Sequence, residues 1–432
     1  MKKIVFMVLA LAAALTTATA QAGVKIAHWV APSGANVYFV ETHDLPMLDV
    51  QIDFPAGSAF DPSGKAGTAS LAQGMLDSGA GDLDEERLAE RIADLGAQLA
   101  GSVDNDRAGL SMRMLSSRQE RDSALALLQT ILVKPAYPEA ALTREKARSI
   151  AALQEAETRP DAITAKRFAA AIYPNHPYGV SPEVSSIAAI TRDDLLAFHR
   201  THYVATRAVV SIIGDVTRGE AEAIALRLTE ALPATSPSLD LPPVTLPKAE
   251  TIRIAHPAAQ SHIAIGMPGI RRGDPDYFAL LVGNYTLGGG GFVSRLMNEV
   301  REKHGYAYDV HSYFMLRKLE GPFQIGLQTK REQAAEALKV ANDTLNGFLK
   351  SGPTAAELKA AKQNLVDGLA LRLDSNAKLL GYLSLIGFYG LPLDYLDTFA
   401  AKVNAVTAEQ VKAAFTRHVK PENLVTVIVA GD

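Results

Sequence analysis

The chain has 432 residues, 48% of them hydrophobic and 21% charged, with a net charge of −4 and no cysteine. That length exceeds one ordinary core, so a soluble globular protein of two or more domains is expected, and the charge without any basic block argues against a nucleic-acid partner. The missing thiols exclude disulfides, thiolate metal sites, a cysteine nucleophile and a lipoprotein anchor.

In chain order, the N-terminus reads as a secretory signal. Lys2 and Lys3 precede a short apolar run over residues 4–15, and Ala18-Thr19-Ala20 or Ala20-Gln21-Ala22 offers a cleavage site. The run is shorter than the roughly 20 residues of a bilayer span, so residues 1–22 are expected to be a signal peptide. The Lys-Lys, Ala-rich character points to the bacterial periplasm. No later segment is long and apolar enough to cross a membrane.

Asn36-Val37-Tyr38-Phe39-Val40 is strand-like, helical stretches follow, and an apolar run, Val209-Val210-Ser211-Ile212-Ile213, closes a first domain expected over 23–231. Residues 232–247 hold five prolines and no helical periodicity, which predicts an extended, semi-rigid linker. A second domain, 248–432, opens on Ile252-Arg253-Ile254 and ends on Val425-Thr426-Val427-Ile428-Val429.

The two domains repeat each other. Phe198-His199-Arg200 leads to Gly214-Asp215 with the same spacing by which Phe415-Thr416-Arg417 leads to Gly431-Asp432, 217 residues later. Upstream, Arg118-Gln119-Glu120 resembles Arg331-Glu332-Gln333, and residues 142–146 resemble 358–362. A period above 200 is too long for a solenoid and indicates two tandem domains of one fold. Strands interrupted by long helical stretches make each an α+β domain, helices packed on a sheet.

Zinc-binding patterns of the H-E-x-x-H or H-x-x-E-H kind are missing. His199 and His202 share a helix, but no carboxylate stands at ligand spacing, so a surface or packing role is expected. His176, before Pro177, reads as a structural turn residue. His304 reads as solvated at a helix end, where a cation suits the macrodipole. The stretch from Gly288 to Tyr308 is more informative. Gly288, Gly289, Gly290 and Gly291 allow close backbone approach, which suits either a loop that touches a peptide together with Phe292 or a flexible connector. Arg301 and Tyr308, seven residues apart, offer a guanidinium and a phenol as donors to a peptide carbonyl.

Several landmarks together resemble the pitrilysin/insulinase family of zinc metallopeptidases: Gly57-Ser58-Ala59 with Gly67-Thr68-Ala69, Pro174-Asn175-His176-Pro177-Tyr178-Gly179, and Ser294-Arg295-Leu296 with Val300-Arg301-Glu302-Lys303 and Gly305-Tyr306-Ala307-Tyr308. The resemblance implies two like domains with mostly antiparallel sheets, forming half of a clam shell. It also implies where zinc should sit. Ser70 stands where the first ligand His belongs, Gln73 replaces the general-base Glu, and Gly74 replaces the second His. No carboxylate occupies the distal ligand position near 150–152, and Glu155 and Glu157 fall one turn too late.

The resemblance therefore implies a catalytically inert half-site with no cofactor of its own. Arg301 and Tyr308 match the family's substrate-backbone and oxyanion donors. The function expected is a non-catalytic subunit of a periplasmic heterodimer, whose zinc-binding peptidase partner carries H-x-x-E-H and whose substrate is an unfolded peptide. The alternative is a non-proteolytic peptide-binding or scaffold protein of the same fold. A Ser70 nucleophile is disfavoured, because nothing near it in sequence offers a base.

Overall fold

The structure, a computed structural model, describes residues 24–235, 237 and 240–430. The expected signal at 1–22 and the terminal Gly431-Asp432 lie outside the described residues. Two sheets organise the chain. The first contains β1 (Ala27–Val30), β2 (Asn36–Glu41), β3 (Met47–Phe54), β4 (Gln98–Val103), β5 (Ala108–Leu115) and β6 (Val209–Gly214), in the order β1-β2-β6-β3-β5-β4. The second contains β7 (Glu250–Ile254), β8 (Gln260–Pro268), β9 (Ala307–Phe314), β10 (Pro322–Lys330) and β11 (Val425–Val429), in the order β9-β10-β8-β11-β7.

The two orders are the same topology. β3, β5, β4, β6 and β2 of the first sheet correspond to β8, β10, β9, β11 and β7 of the second, and β1 is an addition. Each sheet has one parallel pair, β2 with β6 and β7 with β11, and is otherwise antiparallel. The late strands that mark the sequence repeat, β6 and β11, are buried along their whole length. Covered on both faces, they read as continuous β-branched runs rather than as alternation.

Helices cover the sheets. In the first half they include α1 (Thr68–Gly74), α2 (Glu139–Ala156), α3 (Pro160–Ile172) and α4 (Arg192–His202). In the second half they include α5 (Tyr277–Asn284), α6 (Asn376–Tyr389), α7 (Tyr395–Ala405) and α8 (Ala408–His418). Two equivalent helices are exchanged. α3 lies on β8 and β11 of the second sheet, while α6 lies on β2, β3 and β6 of the first. Phe168 and Ile172 of α3 cluster with Ala264, Val425 and Val427. Leu379, Leu380, Leu383 and Ile386 of α6 cluster with Tyr38, Val40, Val209 and Ile213. Each half therefore completes the core of the other.

A buried polar seam runs along the same boundary. Asp53 on β3 is fully buried and accepts hydrogen bonds from Ser384 Oγ of α6 (2.6 Å) and Gln51 Nε2 (2.9 Å). Arg107 Nη1 donates to Ser384 Oγ (2.6 Å) and stands 3.8 Å from Asp53. Burial pushes the Asp53 carboxyl up, and the Arg107 charge opposes that shift. Nearby, Asp106 accepts from the Tyr178 hydroxyl, the Tyr389 hydroxyl (2.9 Å) and the Lys318 backbone N–H (2.8 Å). Satisfied polar groups in a low-dielectric seam specify one docking geometry. The described part of the proline-rich segment is pinned as well: His176 Nε2 donates to the Pro242 carbonyl (2.9 Å), and Asn423 Nδ2 donates to that of Pro247 (2.5 Å).

Of the surface or packing role expected for His199 and His202, the structure shows the packing one. Both are 5% exposed. They donate to the Leu132 and Pro55 carbonyls, at 2.9 and 3.1 Å, and stack on Tyr203 and Phe198. Burial pulls both imidazoles down to about 4. As pH falls from 6.5 toward 4, the unfolded chain takes up protons that the folded chain refuses, so stability falls with pH across that window. Each ring contributes about 2 kcal/mol to this loss by pH 4.5. Asp61, raised to about 6 by burial, acts in the opposite sense, because the folded state holds its proton first. In urea unfolding at pH 7.5 and 4.5, His202→Phe is expected to lose about 2 kcal/mol less over the interval than the parent; an equal loss in both proteins would refute this assignment.

Candidate functional site

The residues at the expected zinc position lie together on α1. Asp61 anchors the start of this helix, accepting from the N–H groups of Gly67 and Ala69 at 2.7 Å each. The Tyr137 hydroxyl donates to the Ala72 carbonyl at 2.9 Å. Ser70 is exposed and Gln73 is buried. The Gln73 carboxamide lies against the backbone of β4, so close that a Cβ at Gly101 would sit 1.8 Å from its Nε2. Gly74 faces open space. A hydroxyl, an inward-packed amide and a bare backbone do not make a zinc ligand set. On α2, Ile150 packs on the core and Ala151 and Ala152 are exposed. Glu155 and Glu157 are exposed at the far end of that helix. The donor set does not fit zinc, and no chemistry is assigned to a metal in this chain.

Beside α1, β4 is the last strand of its sheet and pairs only with β5 among the described strands. Its outer edge offers backbone N–H and C=O groups in the geometry that accepts an added strand.

The second cluster is built at the corresponding edge of the other sheet. α5 continues into a π-helical turn, Tyr285–Gly289, and a second π-helical segment, Met297–Lys303, carries Arg301. Such widened turns are rare and recur at functional sites. The glycines between them are mostly close-packed, not an open loop. A Cβ at Gly288 would lie 2.5 Å from the Ser312 nitrogen, so only glycine lets this turn rest on β9. Gly291, with φ of +60°, is the one that faces open space.

β9 is the edge strand, and its pairing with β10 shifts register between Ala307 and Val310. This bulge falls at Tyr308, and bulges of this kind re-aim a side chain. Tyr308 is 84% exposed. The Arg301 guanidinium lies 4.9 Å from the Tyr308 ring centre and 4.8 Å from that of Phe292. Arg301 is thus held between two exposed aromatic faces. Among the described residues its one acidic neighbour at bonding range is Glu302, 3.5 Å away. Contact with both rings restrains the guanidinium.

The fold brings Arg301, Tyr308 and Phe292 together at one exposed point. Ser70, Gln73 and Gly74 belong to the other sheet's layer. Sequence reasoning missed the bulge, since only pairing with a partner strand reveals it. It also left Arg295 without a role. That guanidinium makes a fork to Glu357, with both N–O distances 2.7 Å, and donates to the Gly352 carbonyl at 2.9 Å. The fork pulls Glu357 down to about 2 and ties the Arg301 segment to the helices behind it.

Comparisons with known proteins bear on the family and the fold. A model described as insulinase (peptidase family M16) matches residues 37–182, and one described as peptidase M16 inactive domain matches residues 189–365. A crystal structure of a peptidase M16 inactive domain from Pseudomonas fluorescens superposes with a TM-score of 0.90 at 37% identity, covering 94% of this chain and 98% of that one. A Helicobacter pylori protein named non-peptidase homolog YmxG is 24% identical over 408 residues, 91% of each chain. An uncharacterized zinc protease of Mycobacterium bovis is 30% identical over 267 residues, and the chain spans 60% of its length.

Proposed function

This chain belongs to the insulinase (M16) peptidase family, and from that premise we propose that it is the non-catalytic, substrate-binding and oxyanion-stabilising subunit of a periplasmic heterodimeric zinc peptidase acting on unfolded peptides. The observation that carries the proposal is the pairing of two facts. The zinc position holds only Ser70, Gln73 and Gly74, while Tyr308 stands exposed and the half-buried Arg301 guanidinium lies 4.9 Å from its ring centre.

In this reading the partner supplies the metal, its ligands and the general base. Arg301 and Tyr308 donate hydrogen bonds to the scissile carbonyl oxygen as it becomes an oxyanion. Donors fixed before the reaction stabilise charge that develops during it, because they need no reorganisation. Phe292 holds the guanidinium plane and offers an apolar face to the peptide. Gly291 leaves the chain backbone open beside it. The free edge of β4 or β9 gives an unfolded peptide main-chain partners with loose sequence preference. Periplasmic placement rests on the signal-like N-terminus.

The purified chain alone is expected to bind no stoichiometric zinc and to cleave no unfolded peptide, and to support cleavage once mixed with an M16 chain bearing H-x-x-E-H. Metal analysis finding one tightly bound zinc, together with proteolysis by the pure chain, would sink the proposal. The name of the Helicobacter pylori relative favours a second reading, a peptide-binding or scaffold protein without protease function. Arg301→Ala separates the two, since only the first reading ties that residue to turnover.

A further inference from the structure

A cavity of about 450 Å³ opens between the start of α5, α7 and the connection Leu391-Pro392. It lies away from Arg301 and Tyr308 and carries charges that the peptidase reading does not use. Phe278, Leu316, Leu391 and Val406 form apolar wall. Arg272 and Lys402 line it as well, and neither has an anionic partner among the described residues. The Arg272 guanidinium stacks 5.0 Å from the Tyr389 ring centre, and its Nε is buried without a hydrogen-bond partner. Lys402 Nζ stands 5.6 Å from the Phe278 ring centre.

The acids at the rim are already engaged. Asp276 Oδ2 accepts from Arg417 (2.7 Å) and His418 (2.9 Å), and Asp274 Oδ1 accepts from the Asp276 N–H (2.8 Å). Two unpaired cations on an apolar wall, one of them with a desolvated and unsatisfied N–H, leave a deficit that an amphipathic anion fills. The planar guanidinium matches a carboxylate. Asp274 and Asp276 nearby disfavour a dianion such as phosphate.

We propose that this cavity binds a small monocarboxylate bearing an apolar group, its carboxylate on Arg272 and Lys402 and its apolar part against Phe278 and Leu391. The ligand chemistry is shared by a free aliphatic acid and by the C-terminal residue of a peptide. This site is independent of the oxyanion reading, because its readout is binding to this chain alone.

Calorimetric titration of the full chain with octanoate and with neutral octanamide tests the proposal. Octanoate is expected to bind at one site and octanamide about tenfold more weakly or not at all. Lys402→Gln and Arg272→Gln are each expected to weaken octanoate by about tenfold. Ala405→Trp, at an exposed position on the cavity wall, is expected to abolish binding by filling the mouth. A titration with Ala-Ala-Leu and its C-terminal amide assigns the source: tighter binding of the free peptide than of octanoate favours a peptide terminus, and the reverse favours a free acid. No binding of any carboxylate, equal affinity for octanoate and octanamide, or unchanged octanoate affinity in both Lys402→Gln and Ala405→Trp overturns the proposal.

Discussion

In a protease reconstituted from this chain and a zinc-bearing partner, Arg301→Ala is expected to lower kcat by about 10²- to 10³-fold with little change in KM. The size follows from what the guanidinium does in the proposed reaction. It donates to an oxygen that is neutral in the bound substrate and negatively charged at the transition state, so its loss falls on the chemical step. Tyr308→Phe removes the second donor while keeping the ring that stacks on Arg301, and a loss of similar size is expected. Arg301→Lys keeps the charge but loses the planar face held between Phe292 and Tyr308, so it should restore only part of the rate. Folding is not at stake, since Tyr308 is 84% exposed and Arg301 packs on exposed rings. Steady-state kinetics on the reconstituted pair decide the matter. An unchanged kcat in Arg301→Ala would remove the oxyanion role and leave the scaffold reading.

Leu383→Ala is expected to destabilise the whole chain by about 2–5 kcal/mol and to shift one shared unfolding transition rather than one of two. Leu383 belongs to the second half of the sequence, yet it is fully buried against β2, β3 and β6 of the first sheet. Without α6, the first sheet would expose Tyr38, Val40, Val209 and Ile213. Each such side chain stabilises by about 1.5–3 kcal/mol when buried, and the sum rivals the 5–15 kcal/mol net stability of an ordinary domain. The same argument applies to the second sheet and α3. Calorimetry of the parent should show one cooperative transition. Two transitions, with Leu383→Ala moving only one, would mean that the halves fold independently despite the exchange.

Much of this was legible in the residues. The duplication was, because β6 and β11 are buried on both faces and so repeat as β-branched runs at a fixed distance from Phe198 and Phe415. The α+β class was, from the alternation of strand-like and helical stretches. The residue types at the expected zinc position were legible too, because metal ligation depends on side-chain chemistry: Ser70, Gln73 and Gly74 lack the imidazoles and the carboxylate whatever their placement. His199 and His202 could be assigned to a surface or packing role because no carboxylate stands at ligand spacing from them.

Other features exist only through contacts between distant segments. Nothing local in α3 or α6 says which sheet each will cover. They are of similar length, and the choice shows only in the contacts made after folding, of Phe168 with the second sheet and of Leu383 and Ser384 with the first. The bulge at Tyr308 is a property of how β9 pairs with β10, and the stacking of Phe292, Arg301 and Tyr308 depends on that bulge and on the π-helical turns that precede it. The glycines suggested an open loop, but most of them serve close packing against β9. The sequence by itself thus determined that positions 70, 73 and 74 carry no zinc-ligand set and that the chain is built twice, since both are carried by residue identity and spacing. Only the tertiary structure decided which half completes which core and how Arg301 is presented, since those depend on surfaces that meet after folding.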